Sequence, residues 1–266
     1  MEMRVCIKQV PDPSREGEVC FDAETCSLLR DSVPGVINPL DKNALEAALK
    51  LREEFGGRVV ALSMGPPQAK ETLREALVMG VDDAVLISDP VLAGSDTWAT
   101  SYVLAKTLEQ LGPFDLVLCG AASSDGDTSQ VGPSLAEFLS LPQVTFVGGL
   151  EMDKGEERFS CLKITDFGAQ RSECELPALI TVAAELNTPR TLSLRAVAAA
   201  SQKKVKTLTI GDLGIDASLV GLEGSPTQVG EIFEPPPKNV NTEFFEGEPE
   251  EMADLLADRL KGEGLP

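Results

Sequence analysis

The chain has 266 residues, a net charge of −20 at pH 7 and a hydrophobic content of 42%. This length suffices for one large or two modest domains with a buried core. The acidity argues against nucleic acid or an anionic membrane surface as a partner, because phosphate groups bind clusters of Lys and Arg. No stretch approaches the ~20 apolar residues of a membrane span, and the N-terminus lacks the pattern of a signal peptide. We expect a cytoplasmic protein without membrane insertion.

Histidine is absent from the chain, and its six cysteines form no CxxC pair. The sequence therefore lacks Ser–His–Asp and Cys–His triads and the common zinc and iron–sulfur motifs. Cysteines of a cytosolic protein are expected to stay reduced. We predict no metal site and no catalytic side chain, so that a bound cofactor would carry any chemistry.

Strands and helices alternate through the first part of the chain. Asn38 and Asp96 are suitable N-caps, Pro39 fits a first helical position, and Gly56 and Gly80 follow the ends of helical patterns. Such alternation with short loops is typical of a parallel sheet with right-handed crossovers. We predict an α/β fold with a doubly wound, mostly parallel sheet. The predicted strands are 3–10, 57–64, 84–88, 114–119 and 143–150, and the predicted helices are 38–55, about 67–79, 97–111 and about 130–139.

After residue 150 the pattern changes. Polar and apolar residues alternate in 157–164 and 170–176, as in an antiparallel hairpin, and 176–182 has the composition of a buried strand. A basic, alanine-rich segment follows. Residues 221–240 are expected to form an extended tail, stiff at Pro235–Pro237, and the last 23 residues contain an acidic amphipathic helix.

This organisation predicts two parts. Residues 1–232 would form one α/β domain, with a hairpin within 151–205. Residues 233–266 would form an extended C-terminal arm whose helix packs on another chain, since an arm with one small helix cannot bury its own apolar face. The alternative is a helix folded back on its own domain.

Four loops follow predicted strands, and the carboxyl ends of parallel strands are where open sheets bind ligands. The loops are QVPDPS, SMGPP, SDPVLAGSDT and GAASSDGDTSQ. Neither a GxxxxGK[ST] loop nor GxGxxG is present. In the fourth loop, Gly120 and Gly126 permit close backbone approach to a ligand. Thr128, Ser129 and Gln130 lie where a helix N-terminus attracts phosphate.

Simpler roles are open for these residues. Asp125 and Asp127 would either accept hydrogen bonds from ribose hydroxyls or cap the following helix. Capping alone explains Asn38 and Asp96, and a strand-to-helix turn explains Gly65. Their common position at one edge of the sheet favours a ligand site.

Several motifs together resemble the beta subunit of electron-transfer flavoproteins. They are VCIKQV, NPLD, ALSMGPPQA, DGDTSQVGPSLAEFL, LPALITVAAELNTPR and GSPTQV, and the resemblance covers essentially the whole chain. It implies an adenine-nucleotide alpha-hydrolase-like fold. It also implies that the chain forms a heterodimer with an alpha subunit, and that this heterodimer carries electrons from dehydrogenases. The beta site holds AMP in the common form, with the catalytic FAD mainly on the alpha subunit. In the bifurcating form a second FAD occupies the beta site and NADH docks beside it.

The segment SDPVLAGSDTWATSY and the version GDTSQVGP of the nucleotide loop resemble the bifurcating group. By position, the resemblance also implies which residues contact the nucleotide. These are Cys6, Asn38, Pro39, Leu40, Asp41, Met64, Gly65, Gly120, Ser123, Asp125, Gly126, Asp127, Thr128, Ser129, Gln130 and Val131, and in the bifurcating group also Asp96, Thr97 and Thr100.

Two departures from the family pattern stand out. Ala121 and Ala122 replace a cation and an amide near the nucleotide, and loss of a charge-assisted bond to phosphate costs ~1.5–3 kcal/mol. The loop after Arg190 also differs. In the family it docks the partner dehydrogenase through a leucine, here Leu194, so Arg190, Leu194 and Arg195 are the implied docking residues.

The expected function is that of an electron carrier of the bifurcating kind. It would pass electrons from NADH to a low-potential acceptor such as ferredoxin or flavodoxin, and to an acyl-CoA or other dehydrogenase. One alternative is a beta subunit with structural AMP, and another is a nucleotide-binding regulatory or scaffold module without redox activity. A hydrolase or synthetase is disfavoured because the sequence has no P-loop, triad or metal cluster.

Overall fold

The computed structural model describes residues 1–14, 21–22, 27–28, 34–152, 155, 157–230 and 242–264. The chain divides into two compact units, Met1–Gly230 and Glu231–Pro266. Two of the cysteines, Cys20 and Cys26, and the predicted stiff segment Pro235–Pro237 lie outside the described residues.

Strands and helices alternate through most of the first unit. The strands are β1 (Glu2–Cys6), β2 (Gln9–Pro11), β3 (Phe21–Asp22), β4 (Ser27–Leu28), β5 (Gly35–Ile37), β6 (Arg58–Met64), β7 (Asp83–Ile87), β8 (Leu116–Gly120), β9 (Gln143–Met152), β10 (Arg158–Thr165), β11 (Gly168–Glu175), β12 (Ala178–Val182) and β13 (Val205–Leu208). The helices are α1 (Pro39–Phe55), α2 (Lys70–Met79), α3 (Thr97–Leu111), α4 (Val131–Phe138), α5 (Leu194–Ala200), α6 (Gly221–Gly224) and, in the second unit, α7 (Pro249–Gly262).

Nine of the described strands form one sheet, in the order β11-β10-β9-β12-β8-β1-β6-β7-β13. From β9 to β13 all neighbouring strands are parallel. The hairpin of β10 and β11 extends the sheet antiparallel beyond β9. The predicted α/β fold, with its doubly wound, mostly parallel sheet and antiparallel hairpin, is confirmed.

Two apolar layers cover the sheet, one on each face. Val59 and Ala61 of β6 belong to the layer that contains the buried residues of α1 and α2. Val60 and Leu62 belong to the layer that contains those of α3 and α4. Because successive side chains of a strand point to opposite faces, a strand covered by helices on both faces is apolar throughout.

Local sequence explains where the main helices begin and end. Pro39 opens α1, and Gly56, with φ of 74°, follows its last residue. Gly80, with φ of 127°, follows α2. Asp96 caps α3 by accepting a hydrogen bond from the Ala99 amide at 3.0 Å. These predicted helix boundaries are confirmed.

The predicted strand 3–10 was wrong in one respect, because the chain leaves the sheet after Cys6. The segment Gln9–Pro11 instead pairs antiparallel with β5. The sequence also gave no indication of β13, which closes one edge of the sheet beside β7, or of α5 in the basic segment. The predicted extended tail 221–240 begins with the short helix α6.

The second unit contains the predicted acidic amphipathic helix, α7. Pro249 opens it, acidic residues occupy its first turn and basic residues its last turn, an arrangement that the helix dipole favours. Leu255 and Leu256 are about half exposed, at 50% and 47%. Among the described helices, none combines the length and apolar composition needed to cross a bilayer.

Candidate functional site

The candidate site lies at the carboxyl ends of β1 and β8, where the sheet changes its winding direction. The chain proceeds from β1 to β6 and β7 on one side, whereas β8 is followed in space by β12 and β9 on the other side. At such a switch point the loops of two neighbouring strands diverge and leave a crevice. The loop after β1 and the polar loop, residues 121–130 between β8 and α4, flank it.

Asp41 joins the ends of both strands to α1. Its Oδ1 accepts a hydrogen bond from the Gly120 amide at 2.9 Å, and its Oδ2 accepts one from the Lys8 amide at 2.7 Å. The residue is 6% exposed. Burial raises the pKa of Asp41 to about 7, and the hydrogen bonds from Lys8, Asn38 and Gly120 oppose that rise.

Asn38 fastens the polar loop to the start of α1. The side chain donates from Nδ2 to the Ala122 carbonyl at 2.8 Å and accepts at Oδ1 from the Ser124 amide at 3.1 Å. It makes no capping hydrogen bond to α1, so the predicted capping role of this side chain was wrong. An amide that bonds two backbone groups of one loop fixes the loop's position.

Close packing fixes the beginning of the polar loop. A Cβ at Gly120 would lie 2.4 Å from Asp41 Oδ1 and 2.9 Å from the Asp41 amide nitrogen, so only glycine fits there. Further along, Asp127 and Ser129 have positive φ, 45° and 55°. Non-glycine residues with such φ are uncommon and concentrate at functional sites.

The N-terminus of α3 forms another border of the site. Thr97 donates from Oγ1 to Gln130 Oε1 at 3.0 Å, which joins α3 to the residue just before α4. Ser101 donates to the Val131 carbonyl at 3.2 Å. The predicted residues Thr97, Gln130 and Val131 therefore lie together, and Thr100 lies in the first turn of the same helix.

Asp96 has a second set of partners besides α3. Its Oδ2 accepts hydrogen bonds from the Thr227 amide at 3.0 Å and from the Thr227 hydroxyl at 2.7 Å. Its own amide donates to Ser225 Oγ at 2.8 Å. Burial would raise the pKa of Asp96, but the hydrogen bonds from Ala99 and Thr227 outweigh it and hold the pKa below its usual value.

The remaining predicted residues occupy strand and helix ends around the crevice. Cys6 ends β1 and lies beside Cys119 of β8 in the sheet register. A hydrogen bond with the Cys6 thiol, together with burial, raises the pKa of Cys119 well above its usual value. Met64 ends β6, and the amide of Gly65 donates to the Ile87 carbonyl at 3.0 Å. Pro39 and Leu40 begin α1, and Ser123, Asp125, Gly126 and Thr128 lie in the polar loop.

The predicted docking residues lie elsewhere: Arg190 precedes α5, and Leu194 and Arg195 are its first residues. Arg190 is bound to α1: its Nε lies 2.7 Å from Glu46 Oε2 and its Nη1 lies 2.7 Å from Glu53 Oε1. Leu194, by contrast, is 90% exposed, and Arg195 beside it is exposed as well. The structure thus gives Arg190 an intramolecular partner and leaves Leu194 on the surface.

Sequence reasoning missed two contributors, Lys8 and Thr227. Lys8 places its Nζ 2.6 Å from Asp125 Oδ1 and 3.4 Å from Ser123 Oγ. The available indication was a cation at a strand end opposite a loop with two aspartates. For Thr227 no local pattern pointed to Asp96, because the two residues are 131 positions apart.

The fold and this crevice define a doubly wound α/β protein with a candidate small-ligand site at its switch point. The sequence of residues 25–213 matches the family model of the electron transfer flavoprotein domain. The chain therefore belongs to the electron transfer flavoprotein family, and the resemblance inferred from its motifs is confirmed.

Several similar proteins are named as beta subunits of electron transfer flavoproteins. The chain is 44% identical over 261 residues to the electron transfer flavoprotein subunit beta of Thermoanaerobacterium thermosaccharolyticum, with 98% of each chain covered. It is 45% identical over 229 residues to the corresponding subunit of Clostridium acetobutylicum, with 86% of each covered. It is 40% identical over 262 residues to subunit CarD of the caffeyl-CoA reductase–Etf complex of Acetobacterium woodii, with 98% of each covered.

Proposed function

We propose that this beta subunit forms a heterodimer with an alpha subunit, binds FAD in the strand-end crevice and accommodates NADH beside it. The observation that carries the proposal is the direct linkage of four elements around one crevice. Asp41 joins the ends of β1 and β8, Asn38 holds the polar loop, and Thr97 joins α3 to Gln130. Backbone amides at helix starts beside such a crevice suit the phosphates of an adenine nucleotide.

The role of the chain's own residues would be positioning. Gly120 and the loop held by Asn38 would bring backbone close to the nucleotide, and Asp96 to Thr100 would border the NADH side. Bound FAD would accept a hydride from NADH and pass the two electrons on one at a time. The electrons would pass to a low-potential acceptor such as ferredoxin or flavodoxin, and through the alpha subunit's FAD to an acyl-CoA or other dehydrogenase. The name of the CarD relative, a subunit of a reductase complex, supports a partner of that kind.

A second candidate is a beta subunit with structural AMP, and the polar loop favours it in one respect. Ala121 is 3% exposed and its amide donates to the Val182 carbonyl at 2.9 Å. The Ala122 carbonyl accepts from Asn38. Ala121 and Ala122 carry only methyl groups, whereas a cation and an amide at these positions would strengthen the binding of FAD, which is larger than AMP.

Counting flavins separates the candidates. We expect the purified heterodimer to release two FAD molecules on denaturation and to bleach at the flavin absorbance when NADH is added anaerobically. One FAD together with one AMP, and no bleaching by NADH, would establish the AMP-binding form instead. A heterodimer without flavin that still binds adenine nucleotides would point to a regulatory module.

A further inference from the structure

The polar loop is itself negatively charged. Between Gly120 and Val131 it contains Asp125 and Asp127 and neither Lys nor Arg. A phosphate bound there would face two carboxylates in a chain whose net charge is −20. Phosphate binding requires a compensating positive charge or several aligned donors. A cation, if the site has one, must come from another element.

Lys8, in the loop after β1, places an ammonium group on the polar loop. Its Nζ lies 2.6 Å from Asp125 Oδ1 and 3.4 Å from Ser123 Oγ. The same atom is 3.9 Å from the point that a Cβ of Gly126 would occupy. The Lys8 side chain is 41% exposed. An ammonium has three donors, so two bonds to the protein leave a donor for a further acceptor.

The backbone of Lys8 is fixed on both sides. Its amide donates to the buried Asp41 carboxylate at 2.7 Å, and its carbonyl accepts from the Asn38 amide at 2.9 Å. Only the side chain therefore has freedom to move, and Ser123 and Asp125 restrict its direction. A lysine with a fixed backbone and a restricted side chain loses little conformational entropy when its ammonium group binds a ligand.

We propose that Lys8 is the phosphate-selecting residue of the strand-end crevice. Its ammonium binds a phosphate oxygen of the nucleotide, while Asp125 and Ser123 orient it. This inference rests on the proposed function, since it assumes that the crevice holds an adenine nucleotide. The phosphate is either the monoester of AMP or the diphosphate of FAD, and Lys8 serves both by the same charge-assisted hydrogen bond.

The test compares ligands with and without phosphate. Dissociation constants for AMP, adenosine, FAD and riboflavin are measured by calorimetry on nucleotide-depleted heterodimer, for the wild type and for Lys8→Gln. We expect Lys8→Gln to weaken the phosphorylated ligand of the crevice about tenfold or more, the effect of one charge-assisted bond. Adenosine and riboflavin should change by less than about twofold, and Lys8→Arg should retain most of the affinity because it keeps the charge.

Two further variants separate phosphate binding from other effects. Lys42→Gln is the matched control, because Lys42 pairs with Glu75 at 2.8 Å with similar exposure, and it should leave all affinities unchanged. The double variant Lys8→Gln/Asp125→Asn also removes the carboxylate charge that Lys8 contacts in the wild type. Its AMP and FAD affinities should stay low. Full recovery would mean that Lys8 merely neutralises Asp125, and would overturn the proposal.

The other outcomes are equally distinct. If Lys8→Gln weakens adenosine as much as AMP, Lys8 only positions the loop and the proposal fails. If its AMP and FAD affinities equal those of the wild type, the proposal also fails, although the proposed function stands. A wild-type heterodimer that binds no nucleotide outside its alpha subunit would contradict the proposed function itself, and the inference with it.

Discussion

At the level of single residues, Asp41 has the most consequential position in the described part of the chain. One carboxylate holds the Lys8 amide and the Gly120 amide, which belong to the ends of neighbouring strands. It does so in a buried place, and burial raises its pKa to about 7. Asp41 thereby makes the geometry of the crevice sensitive to pH near neutrality.

The first prediction is a pH dependence of stability that originates at Asp41. Its pKa in the folded chain, about 7, is above the ordinary 3.8, so between these values the folded state binds more protons than the unfolded state. The stabilisation is complete below about pH 4 and is lost as pH rises through about 7, at most roughly 4 kcal/mol in all.

Urea unfolding of the wild type and of Asp41→Asn, compared between about pH 5 and pH 8, checks this prediction. Asparagine does not titrate, so the free energy of unfolding of the wild type should fall relative to the variant as pH rises. Two parallel pH profiles would show that Asp41 is ionised throughout.

The second prediction concerns Gly120. A methyl group there would meet the Asp41 carboxylate and the backbone of Leu40 within 3 Å. Because backbone cannot yield cheaply, we expect Gly120→Ala to lower the free energy of unfolding by about 2–3 kcal/mol. Gly126→Ala is the control, since its nearest neighbours would be 3.6 Å and 3.9 Å away, and should change stability by less than about 0.5 kcal/mol. Equal effects of both substitutions in denaturant unfolding would refute the packing argument.

At the level of elements, the sequence predicted the parts of the fold whose cause is local. The main helices were predictable because Pro39, Gly56, Gly80 and Asp96 define their ends within a few residues. The hairpin of β10 and β11 was predictable from alternation. By contrast, β13 exists because it pairs with β7, more than 100 positions earlier in the chain, and no pattern within four residues reveals that.

The same distinction applies to the candidate site. The glycine-broken polar loop was recognisable by its composition at a strand end. The part played by Lys8 was not, because it depends on the end of β1 at Cys6 and on the bond from the Lys8 amide to Asp41. Asn38 occupies the N-cap position of α1 as predicted. The partners of its side chain were mispredicted for a similar reason, because Ala122 and Ser124 belong to a loop more than 80 positions away.

The third prediction concerns the link between α1 and the segment before α5. Arg190 donates to Glu46, which is 3% exposed, and to Glu53. Arg190→Met removes the counter-charge of the buried Glu46 carboxylate, although the amide of residue 190 still donates to it. We therefore expect the substitution to lower the free energy of unfolding by about 3 kcal/mol. Arg195→Met, the same change on the exposed face of α5, should have an effect below about 0.5 kcal/mol.

A double variant identifies the cause. If the unpaired charge of Glu46 is responsible, Glu46→Gln/Arg190→Met should be more stable than Arg190→Met alone, because the remaining side chain is neutral. Chemical denaturation of the wild type, Glu46→Gln, Arg190→Met and the double variant measures the coupling. Additive effects would mean that Arg190 acts through packing of its stem and not through Glu46.

At the level of the whole molecule, the chain combines a well-covered sheet with apolar groups left on its surface. In the first unit Leu194 is 90% exposed, and in the second unit Leu255, Leu256 and Leu260 are between 38% and 50% exposed. For the heterodimer proposed above, we predict that Leu194 contacts the dehydrogenase and that α7 contacts the alpha subunit. Single exposed leucines are ordinary, but three on one helix form a stripe.

The final prediction tests that stripe. Met252, Leu255, Leu256 and Leu260 follow the spacing of one helical face, and α7 contains no buried residue. The variant Leu255→Gln/Leu256→Gln/Leu260→Gln removes apolar surface that would be buried on association. Each Å² of such surface stabilises a complex by about 25 cal/mol. We expect the free energy of unfolding of the isolated chain to change by less than about 1 kcal/mol, since exposed positions contribute little. The affinity for the alpha subunit should fall about 100-fold or more, the loss typical of several anchor side chains.

Asp254→Asn, on the charged face of α7, is the control and should assemble normally. Analytical ultracentrifugation of each variant with the alpha subunit, together with urea unfolding of the isolated chain, gives both quantities. If the triple variant assembles like the wild type, α7 does not contact the alpha subunit through its leucines. If it unfolds much more easily as an isolated chain, the helix packs on its own chain, and its exposed face is part of the fold.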